Sequence, residues 1–245
     1  AGKDAWIAIL VATFFAIGLV WLWTLFQKRF GKMNLIEVNE FVLGKVIGKL
    51  ISFLFFIYFL MNFLYTMYIF ISFVSQSLLP GMNSVLLASM FTLVVLSTVR
   101  KGLGNIARVA ELTFPLVVLL LLAVFILVLS KADFHFVLPI MGNGIVPIQR
   151  GVLDILGSPF LELITLMVIF GSVREDPKKN RSFYIGVISG GFVLAVLTLL
   201  CVAVLGTGQV TQTVFPSFAL AKMINLGDFL SRQESIVSIS WLISQ

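Results

Sequence analysis

Charge is what this sequence has least of. Only 11% of its 245 residues are Asp, Glu, Lys or Arg, about half the share that a soluble globular chain carries. Together with 60% hydrophobic residues and a mean hydropathy of +1.10, that scarcity excludes a water-soluble domain. Cysteine is limited to Cys201, so no intrachain disulfide is available, and its place inside an apolar run reads as packing. Histidine is limited to His135, which stands without Cys, His or acidic partners at metal-ligand spacing and reads as a loop residue. No HExxH, no GxSxG and no phosphate loop ending in GKS or GKT occurs, so neither an enzyme nor a cofactor is expected. The formal charge of +6 does not point to nucleic acid, because the basic residues cluster in short loops between apolar runs. A cleavable signal peptide is not expected either: the first apolar run is too long and lacks a basic region and a small-residue cleavage site.

What the chain does have is apolar runs of about 20 residues, the length of a membrane helix and about twice that of a barrel strand. The fold class is therefore all-α, a polytopic membrane protein. Residues 1–245 read as a single transmembrane domain with seven candidate spans: Ala5 to Phe26, Val46 to Leu79, Ser84 to Val99, Ala110 to Leu129, Gly151 to Val173, Phe183 to Leu205, and one beginning at Phe229. The second run would make a helix of about 50 Å, longer than a hydrocarbon core of about 30 Å, so it must tilt or project. Ahead of it, Asn34 to Leu43 mixes apolar residues with Glu37 and Glu40 and reads as an interfacial helix.

Loop charge sets the orientation. Lys28, Arg29 and Lys32 follow the first run, Arg100, Lys101 and Arg108 the third, and Arg174, Lys178, Lys179 and Arg181 the fifth. The positive-inside rule makes these loops cytoplasmic and puts Ala1 on the outer side. Two outer loops are long. Ala132 to Gln149 carries Pro139, Pro147 and a Gly142-Asn143-Gly144 turn, and Phe215 to Asn225 reads as a short amphipathic helix introduced by Pro216.

The fifth run carries the strongest functional signal. Gly157, Ser158, Pro159 and Phe160 interrupt it at its centre, with Asp154 before and Glu162 after. Proline removes a backbone donor and intramembrane carboxylates are costly, so proteins keep such defects mainly at binding sites. A proline kink packed against neighbours is the plainer reading; a discontinuous helix that binds substrate is the functional one. In the second run Tyr65, Tyr68, Ser72, Ser75 and Gln76 follow helical spacing. Ligand contact and interhelical hydrogen bonding both account for them.

An outward start fits a further span ahead of Ala1, which makes the interrupted run helix six and the over-long run helix three. That order resembles the LeuT-like five-plus-five inverted repeat of the amino acid-polyamine-organocation superfamily, in which helices one and six are broken. Five blocks narrow the likeness: AGKDAWIAIL, RKGLGNIARVAELTFP, LPIMGNGIVPIQRG, LGSPFLELI and SFALAKMINLGDFLSRQESIV. Together they resemble the B subunit of spore germination receptors over nearly the whole chain. One departure stands in helix three, where Tyr68 and Ile69 replace an Arg-Glu pair common in that family.

The resemblance implies an inner spore membrane protein that binds a small germinant, often an amino acid, in complex with an A subunit and a lipoprotein C subunit. The expected ligand-binding residues are Asp154, Gly157, Ser158, Pro159, Phe160, Glu162, Tyr65, Tyr68 and Ser72. Backbone N–H groups freed at the break would receive the carboxylate of an amino acid at the positive end of a half-helix. Asp154 or freed carbonyls would receive its amino group. An amino-acid transporter driven by protons or sodium, with Asp154 and Glu162 as coupling groups, is the alternative.

Overall fold

The computed structural model describes residues 2–31, 33–142, 144–165, 168, 179–222, 239 and 241–242. Among these, every regular element is helical. They are α1 (Ala5–Phe30), α2 (Leu35–Phe73), α3 (Ser84–Arg100), α4 (Leu103–Leu129), α5 (Val146–Ile155), α6 (Lys179–Gln212) and α7 (Pro216–Lys222). Among the described residues four stretches are long and apolar enough to cross a bilayer: Gly2–Phe30, Leu35–Leu78, Leu103–Leu129 and Asn180–Gln212. The protein is an all-α, multi-pass membrane protein. The third predicted run is a shorter apolar helix of 17 residues, α3, and the fifth enters as α5. Of the seventh run, from Phe229, only Ile239, Trp241 and Leu242 are among the described residues; Asn143 and the basic loop at Arg174 and Lys178 lie outside them.

Two glycines set boundaries that the sequence pattern anticipates. At Gly44 (φ 77°, ψ 167°) the backbone leaves helical geometry inside α2, separating the interfacial segment from the long span. A side chain would be strained at that φ. The segment opens on a reciprocal cap, with Asn34 N–H donating to Glu37 Oε2 at 2.9 Å and Glu37 N–H donating to Asn34 Oδ1 at 3.0 Å. It then folds back on the span: Asn39 Nδ2 donates to Ser52 Oγ at 3.3 Å, and a Cβ at Gly48 would lie 2.6 Å from the Asn39 carbonyl. Gly206 (φ 70°, ψ 160°) interrupts α6 one residue beyond the predicted end of the sixth run.

Packing divides the chain into two compact units, Ala1–Phe59 with Asp133–Thr211 and Leu60–Ala132 with Gln212–Gln245. The first is organised by α1. Ala8, Ala12, Ala16, Val20 and Trp23 recur at helical spacing and are buried against Ile148 and Val152 of α5, Phe160, and Val187 of α6. Lipid tails are as apolar as these side chains, so the gain comes from close packing, which small residues permit. Contact with α6 is tightest at Gly191, where a Cβ would lie 2.1 Å from Thr13 Oγ1.

The outer loop of this unit is pinned at both ends. Asp133 N–H donates to the Ala203 carbonyl at 2.9 Å, and the Phe136 ring covers the Gly206 break, 3.7 Å from where a Cβ would stand. At the other end Asp4, 1% exposed, accepts the Met141 N–H at 2.9 Å. Asp4 immediately precedes α1, where a carboxylate is also favoured by the helix dipole. His135 sits in this loop in a 3-10 turn capped by the Asp133 carboxylate. Cys201 is buried in α6.

In the second unit aromatic contacts dominate. Phe70 and Phe91 join α2 to α3 with ring centroids 4.7 Å apart. Phe73, at the end of α2, is fully buried among Phe215, Phe218 and Trp241. The predicted amphipathic segment beyond Phe215 forms α7. Past Phe73 the helix widens into a π turn, Val74–Leu78, so Ser75 and Gln76 leave the 3.6-residue spacing that relates Tyr65, Tyr68 and Ser72.

Two substitutions test this packing by thermal melting of the full-length protein in detergent. Gly191→Ala is expected to cost about 1–3 kcal/mol by overpacking, with Thr13→Ala in the same protein recovering part of the loss. Asp4→Ala leaves the Met141 N–H without its acceptor and is expected to cost about 1–3 kcal/mol, whereas Asp4→Asn keeps an acceptor oxygen and costs less.

Candidate functional site

Among the described residues the interrupted helix is packed on one side, against α1. Ile148, Val152 and Phe160 face the alanine stripe of α1, while Asp154, Gly157, Ser158 and Pro159 are exposed. In a regular helix Pro159 would deprive the Ile155 carbonyl of its donor. The chain widens instead: Leu156–Phe160 forms a π-type turn, and the Leu161 N–H reaches back to the Leu156 carbonyl. Helical geometry is lost at one residue, Ser158 (φ −145°, ψ 120°). A tight 3-10 turn, Leu161–Ile164, then opens the inner half.

At this junction the Ser158 hydroxyl donates to Glu162 Oε1. Glu162 lies in the first turn of the inner half, where the positive end of a helix dipole favours a carboxylate. Of the backbone N–H groups that follow the break, that of Leu161 is engaged within the turn. Asp154 has no hydrogen bond or ion pair among the described residues.

Apolar clefts flank the inner half. One, of about 440 Å³, is lined by Ile51, Leu54, Phe55 and Tyr58 of α2 and by Leu161 and Ile164. The other, of about 160 Å³, includes Trp23, Leu163, Phe183 and Val187. The larger falls within the about 300–1,000 Å³ of small-molecule sites, which are mostly apolar with a few placed polar groups. No group of His, Cys, Asp and Glu able to hold a metal occurs among the described residues.

A family model described as spore germination protein matches residues 1–245. The chain belongs to that family. It is 25% identical over 258 residues to spore germination protein KB of Bacillus subtilis (strain 168), covering 99% of this chain and 66% of the relative. With spore germination protein YndE of the same organism it shares 26% identity over 242 residues, 98% of this chain and 66% of the relative. With spore germination protein GerQB of Bacillus cereus the figures are 25% over 243 residues, 98% and 66%. The chain thus spans about two thirds of the length of these curated relatives. No solved structure matches it.

In this spore germination family member the expected site residues separate. Asp154, Gly157, Ser158 and Pro159 are exposed at the interruption, and Glu162 is half-buried and bonded to Ser158. Phe160 turns into the core at 4% exposure and holds the break against α1. Tyr65, Tyr68 and Ser72 belong to the second compact unit. Two residues escaped the sequence reading. Tyr58 lines the larger cleft and lies seven residues, or two helical turns, before Tyr65, a spacing open to view in the sequence. Asp4 had a weaker signal, an acid directly before an apolar run.

Phe160→Ala is expected to destabilise the full-length protein by about 3–5 kcal/mol. Gly157→Ala, whose Cβ would meet nothing within 4 Å, is expected to leave the melting midpoint almost unchanged. Parallel melts of the two variants separate the packed side of the interruption from its open side.

Proposed function

We propose that the chain is the membrane-embedded part of a nutrient germinant receptor B subunit in the spore inner membrane, and that the interrupted helix binds the germinant, an amino acid. The observation that carries this reading is Glu162, oriented by the Ser158 hydroxyl at the start of the inner half-helix, in a segment that is otherwise apolar. An intramembrane carboxylate held in one place is a receptor for an ammonium group. The cleft beside Leu161 and Ile164 offers space for an apolar side chain. Asp154, Gly157 and Pro159 form the rest of the exposed side and leave the ligand room to approach the backbone.

Within an inverted-repeat fold of the LeuT type, a second broken helix completes the pocket and supplies the donors for the ligand carboxylate. Binding that differs in affinity between two conformations shifts the receptor toward the signalling one, and the A and C subunits pass that shift on. Tyr65, Tyr68 and Ser72 remain proposed ligand-binding residues.

The test uses spores carrying the full-length receptor with its A and C subunits and a panel of amino acids as germinants. Glu162→Gln is expected to raise the half-maximal germinant concentration about tenfold to a hundredfold, the loss of one charge-assisted hydrogen bond. Ser158→Ala is expected to do so by less. An unchanged response in Glu162→Gln, or in a protein with both Gly157 and Pro159 replaced by alanine, would leave the interruption a purely architectural feature. Saturable uptake of labelled amino acid by the full-length B subunit alone in proteoliposomes would favour transport instead.

A further inference from the structure

A second concave surface lies away from the interrupted helix, at the other end of α1. Leu22, Leu25, Phe26 and Arg29 follow spacings of three, one and three residues, so they form one stripe of the helix. This is not the face that carries the alanine packing. Phe41 and Val42 of the fold-back segment close the opposite wall, and Phe30 completes a groove of about 650 Å³. The rings of Phe26 and Phe30 lie 5.6 Å apart and those of Phe30 and Phe41 6.4 Å apart, so the two walls touch at one end. The fold-back is set by Gly44 and by the Asn34–Glu37 cap, so the groove is a property of the backbone path.

The groove is apolar along its length and charged at one place. Among the described residues Arg29 is the only charged one in its lining, and it makes no ion pair with another of them. Lys28 is its exposed neighbour. Glu37, on the facing segment, has its carboxylate turned to the Asn34 N–H. From Leu22 to Arg29 the helix rises about 10 Å. A guanidinium therefore stands near the end of α1, and apolar wall runs from it back along that helix. By loop charge, that end is cytoplasmic.

We propose that this groove is a binding site for an anionic glycerophospholipid of the cytoplasmic leaflet, with the phosphate on Arg29 and one acyl chain between Phe41, Val42 and the Leu22–Phe26 stripe. Charge complementarity selects the headgroup, since a guanidinium forms paired hydrogen bonds with phosphate oxygens. The fold-back wall distinguishes this site from ordinary annular lipid, which a convex helix surface would contact on one side only. Juxtamembrane basic residues at this leaflet attract anionic lipid in general; here one of them caps a preformed slot.

The experiment is lipid titration of the full-length protein by native mass spectrometry, comparing phosphatidylglycerol with phosphatidylcholine of the same acyl chains. The wild type is expected to retain phosphatidylglycerol about fivefold more tightly, and Arg29→Gln to remove that preference. Val42→Trp, which fills the groove and keeps the charge, is expected to weaken both lipids. Helical circular dichroism checks the fold of each variant, and should Arg29→Gln not fold, Val42→Trp reads the groove by itself. Equal retention of the two lipids by the wild type would overturn the proposal. So would a preference that survives Arg29→Gln, undiminished binding in Val42→Trp, or displacement of the lipid by millimolar inorganic phosphate. A photocrosslinker at position 41 that captures polypeptide instead of lipid in the receptor complex would assign the groove to a protein partner.

Discussion

Close contact between the alanine stripe of α1 and the interrupted helix is the interaction on which the first unit depends. In a bilayer, burying apolar side chains against one another gains little over leaving them in lipid, so helices associate through surfaces that fit. Ala8, Ala12 and Ala16 let the backbone of α1 approach Ile148, Val152 and Phe160 on both sides of the break. A proline-disrupted helix is weak by itself. Laid along a straight, closely fitting helix, it keeps one defined geometry, and its irregular turn faces away from the packed side.

The break shows how a membrane protein accommodates a defect. Non-helical backbone at membrane depth survives where its polar groups find partners. Here the wide turn re-forms a backbone bond from Leu161 to Leu156, and the Ser158 hydroxyl bonds Glu162. One backbone donor and one side-chain pair are thus satisfied within the turn itself. Apolar clefts lie beside Leu161, Leu163 and Ile164.

Much of the helical layout was legible because glycine, proline and charge punctuate it. The end of the interfacial segment at Leu43 and of the sixth run at Leu205 each fall one residue before a glycine with positive φ. Glycine and proline within an apolar run likewise placed the interruption at residues 157–160. Long-range pairing was not legible: Met141 meets Asp4 across 137 positions, and no local pattern in either stretch announces the other. Direction was lost for a related reason. Phe160 looks like a member of the interruption in sequence, yet the widened turn rotates it toward α1. The run Tyr65, Tyr68, Ser72, Ser75, Gln76 read as one face only because a uniform 3.6-residue period was assumed, which the π turn ends after Phe73.

The outer loop gives the interrupted helix a fixed anchor. It leaves the Ala203 carbonyl, covers Gly206, fastens to Asp4 and then runs directly into α5, so the ends of three helices form a closed hoop. A hoop of this kind resists tilting of any one member, because tilt would have to stretch the other two attachments. The helical path that those attachments hold ends at Ser158, so the hoop fixes where the stretch that carries Glu162 begins.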